Sequence, residues 1–348
     1  MAQNGKRGGN GNGRTRRGQT SAKRNSGVEL GYALSTEEHK PNDLVRYAQR
    51  AEEAGFTFAL ISDHYHPWTD RQGQSAFVWS VLGAIAHATE RLRLGTGVTC
   101  PLIRYHPAII AQAAATVSAL MPGRFFLGVG TGENLNEHIF GDKWPPSDVR
   151  REMLREAVEI IRKLWEGGSQ SVYGDFYIVE NAQVYTLPEE LPEIFVAASG
   201  EKAGELAGEI GDGLIVTLPD EETLKAFDRA GGKGKPRIGQ VTVCYARTEA
   251  EAKRTALEWW PVVTAKGELH QELPLPAHFE QASQDATEED VCKEMTCGPD
   301  PEQHWKAIRE YFDAGISQVY VHQVGPNQEG FFRFYEREIL PRVQKEYA

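Results

Sequence analysis

From Val28 onward, short continuous apolar runs alternate with longer stretches in which apolar residues recur every three or four positions. Parallel strands buried on both faces read as such runs, and amphipathic helices as such stretches. The pattern predicts strands over 28–34, 57–62, 92–99, 125–130, 194–198, 213–216, 238–246 and 318–322. Between and after them it predicts helices over 42–54, 75–89, 107–120, 148–165, 201–209, 221–230, 249–260, 301–313 and 330–343. Asn42-Asp43 and Gly55 supply start and stop signals for the first helix. Two stretches break the rhythm: 171–185 alternates like a β-hairpin around Tyr173-Gly174-Asp175-Phe176-Tyr177, and 261–300 is irregular and rich in Pro, Glu and Gln.

Eight strands interleaved with helices is the count of an α/β fold of the (β/α)8 barrel type, which closes without an exposed sheet edge. The reading is one domain over 27–348, with 171–185 and 261–300 as insertions that shape the pocket. An open doubly wound sheet is the alternative, but Gly128-x-Gly130-x-Gly132 lacks the spacing of a dinucleotide fingerprint. Residues 1–26 hold seven Lys or Arg, no acid and almost no large apolar side chain, and read as a disordered basic tail. Arg16-Arg17 suggests an export signal, but the polar Gln19-Thr20-Ser21-Ala22-Lys23 replaces the apolar stretch that would have to follow.

Charge and composition narrow the function. The 348 residues carry a net charge of -11, and 31 basic against 49 acidic residues remain after the tail, a surface that repels nucleic acid. No apolar run approaches the roughly 18 residues of a membrane helix. Cys100, Cys244, Cys292 and Cys297 are scattered and form no Cys-x-x-Cys pair, which points to a reducing cytoplasm without a disulfide framework or structural zinc.

In a barrel, residues just past the strands share one pocket. The second strand delivers Asp63-His64-Tyr65-His66-Pro67-Trp68 there, unless Asp63 merely caps and His64 merely packs. The first contributes Ser35, Thr36, Glu37 and Glu38, the third Thr99 and Cys100, the fourth Thr131, Glu133, Asn134 and Asn136. Later strands add Ser199-Gly200, Thr217 and His322-Gln323. His64 and His66 lack a third ligand at plausible spacing, so no metal site is expected. A His paired with a carboxylate from another strand suits proton transfer in both directions. The glycines of 128–132 allow backbone to approach a ring or phosphate, or simply make a tight strand-helix connection.

Five segments carry a family resemblance: Ser62-Asp63-His64-x-x-Pro67-Trp68, Leu94-Gly95-Thr96-Gly97-Val98-Thr99-x-Pro101, Arg104-Tyr105-x-Pro107-Ala108, Phe126-Leu127-Gly128-Val129-Gly130-Thr131-Gly132-Glu133-x-Leu135-Asn136 and Gly211-Asp212-Gly213. Over residues 28–345 the chain resembles the luciferase-like flavin and deazaflavin enzymes, in the subgroup with coenzyme F420-dependent glucose-6-phosphate dehydrogenase. The resemblance implies a homodimeric barrel that binds a deazaflavin at the carboxyl ends of its strands and transfers hydride to or from an alcohol, sugar or carbonyl compound. It implies catalytic roles for His64 as base, Glu133 as acid, Trp68 at the reacting centre and Glu37 as a further pocket carboxylate. Cofactor contacts are implied at Asp63, Cys100, Asn136, Ala198, Ser199 and Gly200, and at a non-proline cis peptide between Gly97 and Val98. Where sugar-phosphate enzymes of the family hold phosphate with cations, this chain offers Asp220, a site near Glu268, and Glu294, with Lys266 or Lys293 able to compensate; a sugar phosphate is therefore not the expected substrate. The alternatives are an FMN-dependent monooxygenase of the same superfamily and a non-catalytic ligand-binding barrel.

Overall fold

A computed structural model describes residues 27–347, so the tail at 1–26 lies outside the described residues. Strands β1 (Glu29–Leu34), β2 (Phe58–Ile61), β3 (Arg93–Thr96) and β4 (Phe125–Val129) follow one another in parallel register, each crossed over by a helix. A two-stranded antiparallel hairpin, β5 (Gln170–Tyr173) and β6 (Ile178–Ala182), interrupts them. Strands β7 (Ile194–Ala197), β8 (Gly213–Val216) and β9 (Arg237–Cys244) resume the series, and β10 (Thr296–Cys297) and β11 (Gln318–Gln323) complete it. Parallel pairing of β11 with β1 and of β8 with β9 closes β1, β2, β3, β4, β7, β8, β9 and β11 into an eight-stranded barrel. The (β/α)8 reading holds, and the strand ends sit within a few residues of their expected places.

Side chains fill the barrel by interlocking large with small. Phe58, Leu60, Phe126, Phe195, Ile215, Ile238 and Tyr320 form the interior cluster, with Ala33, Val98 and Ala197 packed on it. The Phe126 ring occupies the space beside β3 where a Cβ on Gly95 would come within 2.0 Å of it, and Phe58 does the same to Gly31 at 2.6 Å. A methyl at either glycine forces the ring out of a close-packed core. Outward-facing Leu30, Tyr32 and Leu34 meet the helices instead. Tyr32 lies 4.8 Å from Phe332, and its hydroxyl donates to Gln328 Oε1 at 2.6 Å, so the closing helix docks on the first strand.

Local chemistry explains most departures from the sequence reading. Helix Pro41–Ala54 starts on Pro41, whose fixed φ suits the first helical position, and not on an Asn42 cap; Gly55 ends it at φ 102°. The 261–300 stretch is not irregular: it folds as Pro261–Thr264, Leu269–Glu272, Pro276–Ala282 and Glu288–Glu294, four short helical segments, the last started by a Thr287 capping box. The closing helix is two helices, Gln328–Glu338 and Leu340–Tyr347. In the hairpin, Tyr177 is buried and donates to Leu102 O, but Tyr173 and Phe176 are exposed and not packing residues. Glu156 anchors that hairpin by accepting the N–H groups of Asp175, Phe176 and Tyr177.

The cysteine reading is corrected: Cys292 and Cys297 form a disulfide joining helix Glu288–Glu294 to β10. The inference of a reducing compartment loses its support. Cys100 and Cys244 are buried free thiols. Among the described residues no helix is long and apolar enough to cross a membrane, and no group of three His, Cys, Asp or Glu could hold a metal.

His304, in helix Pro301–Asp313, is fully buried between Gly298 O, at 2.9 Å from Nε2, and the Tyr335 hydroxyl, at 3.0 Å from Nδ1. Burial pushes it down from 6.5 to about 4, the Gly298 carbonyl opposing only in part. The unfolded chain therefore takes up this proton first, and stability falls as pH drops from about 6.5 towards 4. Wild type should lose roughly 3 kcal/mol more than H304Q between pH 7 and pH 4 in urea unfolding; parallel pH dependences would contradict this.

Candidate active site

The pocket is built from the loops after β1, β2, β3 and β4. Ser35, Thr36, Glu37 and Glu38 follow β1 and are all buried. Thr36 N donates to Ser62 Oγ at 2.9 Å, which locks the first loop to the end of β2. Glu37 Oε2 accepts from Ser62 Oγ at 2.5 Å and Ser35 Oγ at 3.0 Å, while its Oε1 lies 3.3 Å from His64 Nε2. Burial by itself raises this carboxyl, but the charge of His64 and the hydroxyl donors outweigh it, leaving Glu37 below its ordinary value. The carboxylate is thus held ionised beside the imidazole.

His64 Nδ1 faces His66 O at 3.2 Å, and the Trp68 indole lies 5.0 Å from the imidazole. Trp68 is set by Phe279 at 5.1 Å and His270 at 5.7 Å, both from the insertion, and by Gln72, which accepts its N–H. Residues 261–300 therefore pack against Trp68 through His270 and Phe279. Asn134 Nδ2 donates to Glu272 O at 3.0 Å, tying the β4 loop to the same wall.

Glu133 precedes a short helix, Asn134–Glu137, that the sequence pattern does not announce. Asn136 Nδ2 donates to Glu133 Oε2 at 3.2 Å, and Asn136 Oδ1 accepts the N–H groups of Tyr65 and His66 at 2.8 and 3.2 Å. One buried amide thus links the Glu133 carboxylate to the backbone beside His64. His66, for which sequence reasoning found no role, donates from Nδ1 to Leu135 O at 2.8 Å and stacks on His138. It fastens the β2 loop to the β4 loop.

Asp63 is held by three protein donors. Its Oδ2 accepts from Thr99 Oγ1 at 2.7 Å, and its Oδ1 from Arg104 Nη2 at 3.0 Å and the Tyr105 hydroxyl at 3.2 Å. Arg104 also reaches Glu137, through Nε at 3.3 Å and the backbone N–H at 2.7 Å. Burial raises Glu137 despite that cation. Arg104 and Glu137, which sequence reasoning gave no role, are the centre of this network; the Arg104-Tyr105 pair in the family segment is the signal that could have found them. Cys100 is buried, and burial with Glu137 and Glu133 close by pushes its thiol well above the ordinary value, so it stays protonated.

The Gly97–Val98 peptide, after β3, is cis. Gly97, Gly128 and Gly130 place no side chain around Val98, and a Cβ on Gly130 would lie 2.8 Å from Val98 Cγ2. Each of these glycines makes room for protein beside it, Leu60 at Gly97, Thr96 O at Gly128 and Val98 at Gly130, so the backbone around the cis peptide is closely packed. Ala198, Ser199 and Gly200 lie beyond β7, two strands further round than β3. Gly200, at φ 86°, opens helix Glu201–Ile210, and a Cβ there meets nothing within 4 Å. Its N–H donates to Thr223 Oγ1 at 2.8 Å, and Thr223 Oγ1 in turn donates to Asp220 Oδ2 at 2.6 Å. Asp220 therefore braces this turn and caps helix Glu221–Phe227.

Removing Arg104 leaves two buried carboxylates without their counter-charge. R104M should cost about 3–5 kcal/mol in urea unfolding, and less than half of that when Asp63→Asn and Glu137→Gln are already present. Equal costs in both backgrounds would refute the network.

The sequence profile of the family described as luciferase-like monooxygenase matches residues 25–318. The F420-dependent glucose-6-phosphate dehydrogenase of Microbacterium testaceum is 36% identical over 332 residues, 92% of this chain and 99% of that protein. The enzyme of the same name from Kribbella flavida is 37% identical over 331 residues, 91% and 99% of the two chains. Among solved structures, an F420-dependent secondary alcohol dehydrogenase in complex with an F420-acetone adduct superposes with TM-score 0.84 at 28% identity, covering 91% of this chain and 99% of that one. The F420-dependent tetrahydromethanopterin reductase of Methanopyrus kandleri shares the fold at TM-score 0.73 and 21% identity, over 91% of this chain and all of its own. With its barrel closed and its family segments gathered at one rim, this chain belongs to the luciferase-like family.

Proposed function

We propose that this chain is a coenzyme F420-dependent oxidoreductase that moves hydride between the deazaflavin and a CH–OH or carbonyl carbon of an alcohol or sugar. The observation that carries the proposal is the His64–Glu37 pair at the barrel mouth, with Trp68 against it and Glu133 bound to the same loop through Asn136. When bound, the deazaflavin supplies the carbon centre that accepts or returns hydride. His64 takes the hydroxyl proton as the C–H bond is lost, and the ionised Glu37, 3.3 Å from its Nε2, stabilises the imidazolium that results. Glu133 holds a proton for the ring, and Trp68 excludes water from the reacting carbon. Gly97, Val98, Gly130 and the Gly200 turn are the residues that would hold the cofactor. Both dehydrogenase relatives and the alcohol dehydrogenase structure support the cofactor by their names.

The substrate is the finer part of the reading. The relatives are named for glucose 6-phosphate, which lends no support to excluding a sugar phosphate. The repulsion argued from Asp220, Glu268 and Glu294 also weakens, because all three are exposed and Asp220 is turned onto Thr223. Exposed charges are screened and worth about 1 kcal/mol or less. What favours an uncharged hydroxyl compound is that the two buried guanidinium groups of the surrounding loops are already engaged, Arg104 by Asp63 and Arg150 by Glu272, which leaves Lys266 as a cation without an ion pair among the described residues.

H64A should lower hydride transfer at least a hundredfold while deazaflavin affinity, read by fluorescence quenching, stays within about tenfold. Surviving activity would remove His64 from the mechanism, and tight FMN binding with none for the deazaflavin would overturn the cofactor. Glucose should be used at least as well as glucose 6-phosphate; a preference for the phosphate above about tenfold would overturn the uncharged substrate.

A further inference from the structure

Glu37 has a neighbour that the proposed chemistry does not use. Glu38 is buried, its Oε1 lies 3.0 Å from His322 Nε2, and its Oε2 accepts the Gly325 N–H at 2.7 Å. Two consecutive carboxylates thus each engage a histidine, and the two histidines come from opposite neighbours of β1: His64 follows β2, and His322 lies on β11. Because Glu38 can only accept, His322 carries its proton on Nε2, and Nδ1 is left with a lone pair. No other hydrogen bond to the His322 ring occurs among the described residues.

His322 faces inward. Tyr320, two residues earlier on β11, packs in the barrel interior, and side chains on a strand alternate with period two. The Trp260 indole stands edge-on to the His322 ring at 4.6 Å. Trp260 packs in the same apolar cluster as Trp68, Leu135, Val262 and Phe279, so one wall runs from His64 to His322 with an indole beside each. Neighbouring strands are about 4.8 Å apart, so β2 and β11 run roughly 10 Å apart on either side of β1. A substrate that meets both histidines must therefore carry hydroxyls on more than one carbon, as a polyol or sugar does.

We propose that His322, positioned by Glu38 and flanked by Trp260, accepts a second hydroxyl of the substrate and selects polyhydroxylated compounds over simple alcohols. The proposal rests on the oxidoreductase reading above and concerns the far end of the same pocket. Glu38 acts through His322 and is a positioning residue. A monohydroxy alcohol fills the His64 end only and leaves Nδ1 unmet, a loss that binding sites convert into discrimination.

The test compares glucose with propan-2-ol, using wild type, H322L, H322Q and E38Q. Wild type should show a kcat/KM for glucose at least tenfold above that for propan-2-ol. H322L should lower the glucose value at least tenfold more than the propan-2-ol value, with the loss in KM. H322Q, whose amide oxygen restores an acceptor, should recover most of it, and E38Q should raise the glucose KM severalfold. A wild type that prefers propan-2-ol, or an H322L that lowers both values equally, overturns the proposal. Calorimetric binding of glucose to the purified protein separates it from the cofactor reading. Glucose affinity lost in H322L, in a protein that does not bind the deazaflavin, refutes the cofactor reading alone. Glucose affinity unchanged in a folded H322L refutes the His322 proposal alone.

Discussion

Burying Glu37 and Glu38 side by side is the constraint around which this barrel mouth is arranged. Two adjacent carboxylates out of water are costly unless each finds enough hydrogen-bond donors. Closure of the barrel solves this, because β2 and β11 both border β1 and bring one histidine from each side. Ser35 and Ser62 donate to the first carboxylate and the Gly325 N–H to the second. The same arrangement that makes the charges tolerable leaves two imidazoles aimed into one pocket.

A second buried charge set holds the floor. Arg104 is clamped between Asp63 and Glu137, and through Thr99 and the Glu137 helix it joins the ends of β2, β3 and β4. Removing one partner of such a set strands the others, which makes it rigid and intolerant of change. Asp63 thereby stiffens the loops that carry His64 and Glu133.

The insertion at 261–300 supplies what the barrel lacks. Phe279 and His270 set Trp68 beside His64, while Trp260, at the end of helix Glu249–Trp259, stands against His322. The disulfide at the end of this segment, between Cys292 and Cys297, secures it to β10.

Much of this was legible in the chain itself. Strands such as Phe58–Ile61 and Gly213–Val216 announce themselves because burial on both faces demands uninterrupted apolar residues, and Gly55 stops its helix because it takes up a positive φ. The strand ends and the family segments named His64, Trp68, Glu37 and Glu133 before any coordinates. Only the tertiary structure could say what each partner was. Glu38 with His322 spans 284 residues, and Asp63 with Arg104 spans 41. Such pairs depend on closure and loop packing, which leave no periodic trace. Asp220 shows the reverse error: its charge suggested repulsion of a phosphate, while the fold uses it to brace Thr223 and the Gly200 turn. Periodicity and local sterics therefore determined the barrel and the rim residues, and long-range burial of charge decided how those residues are partnered.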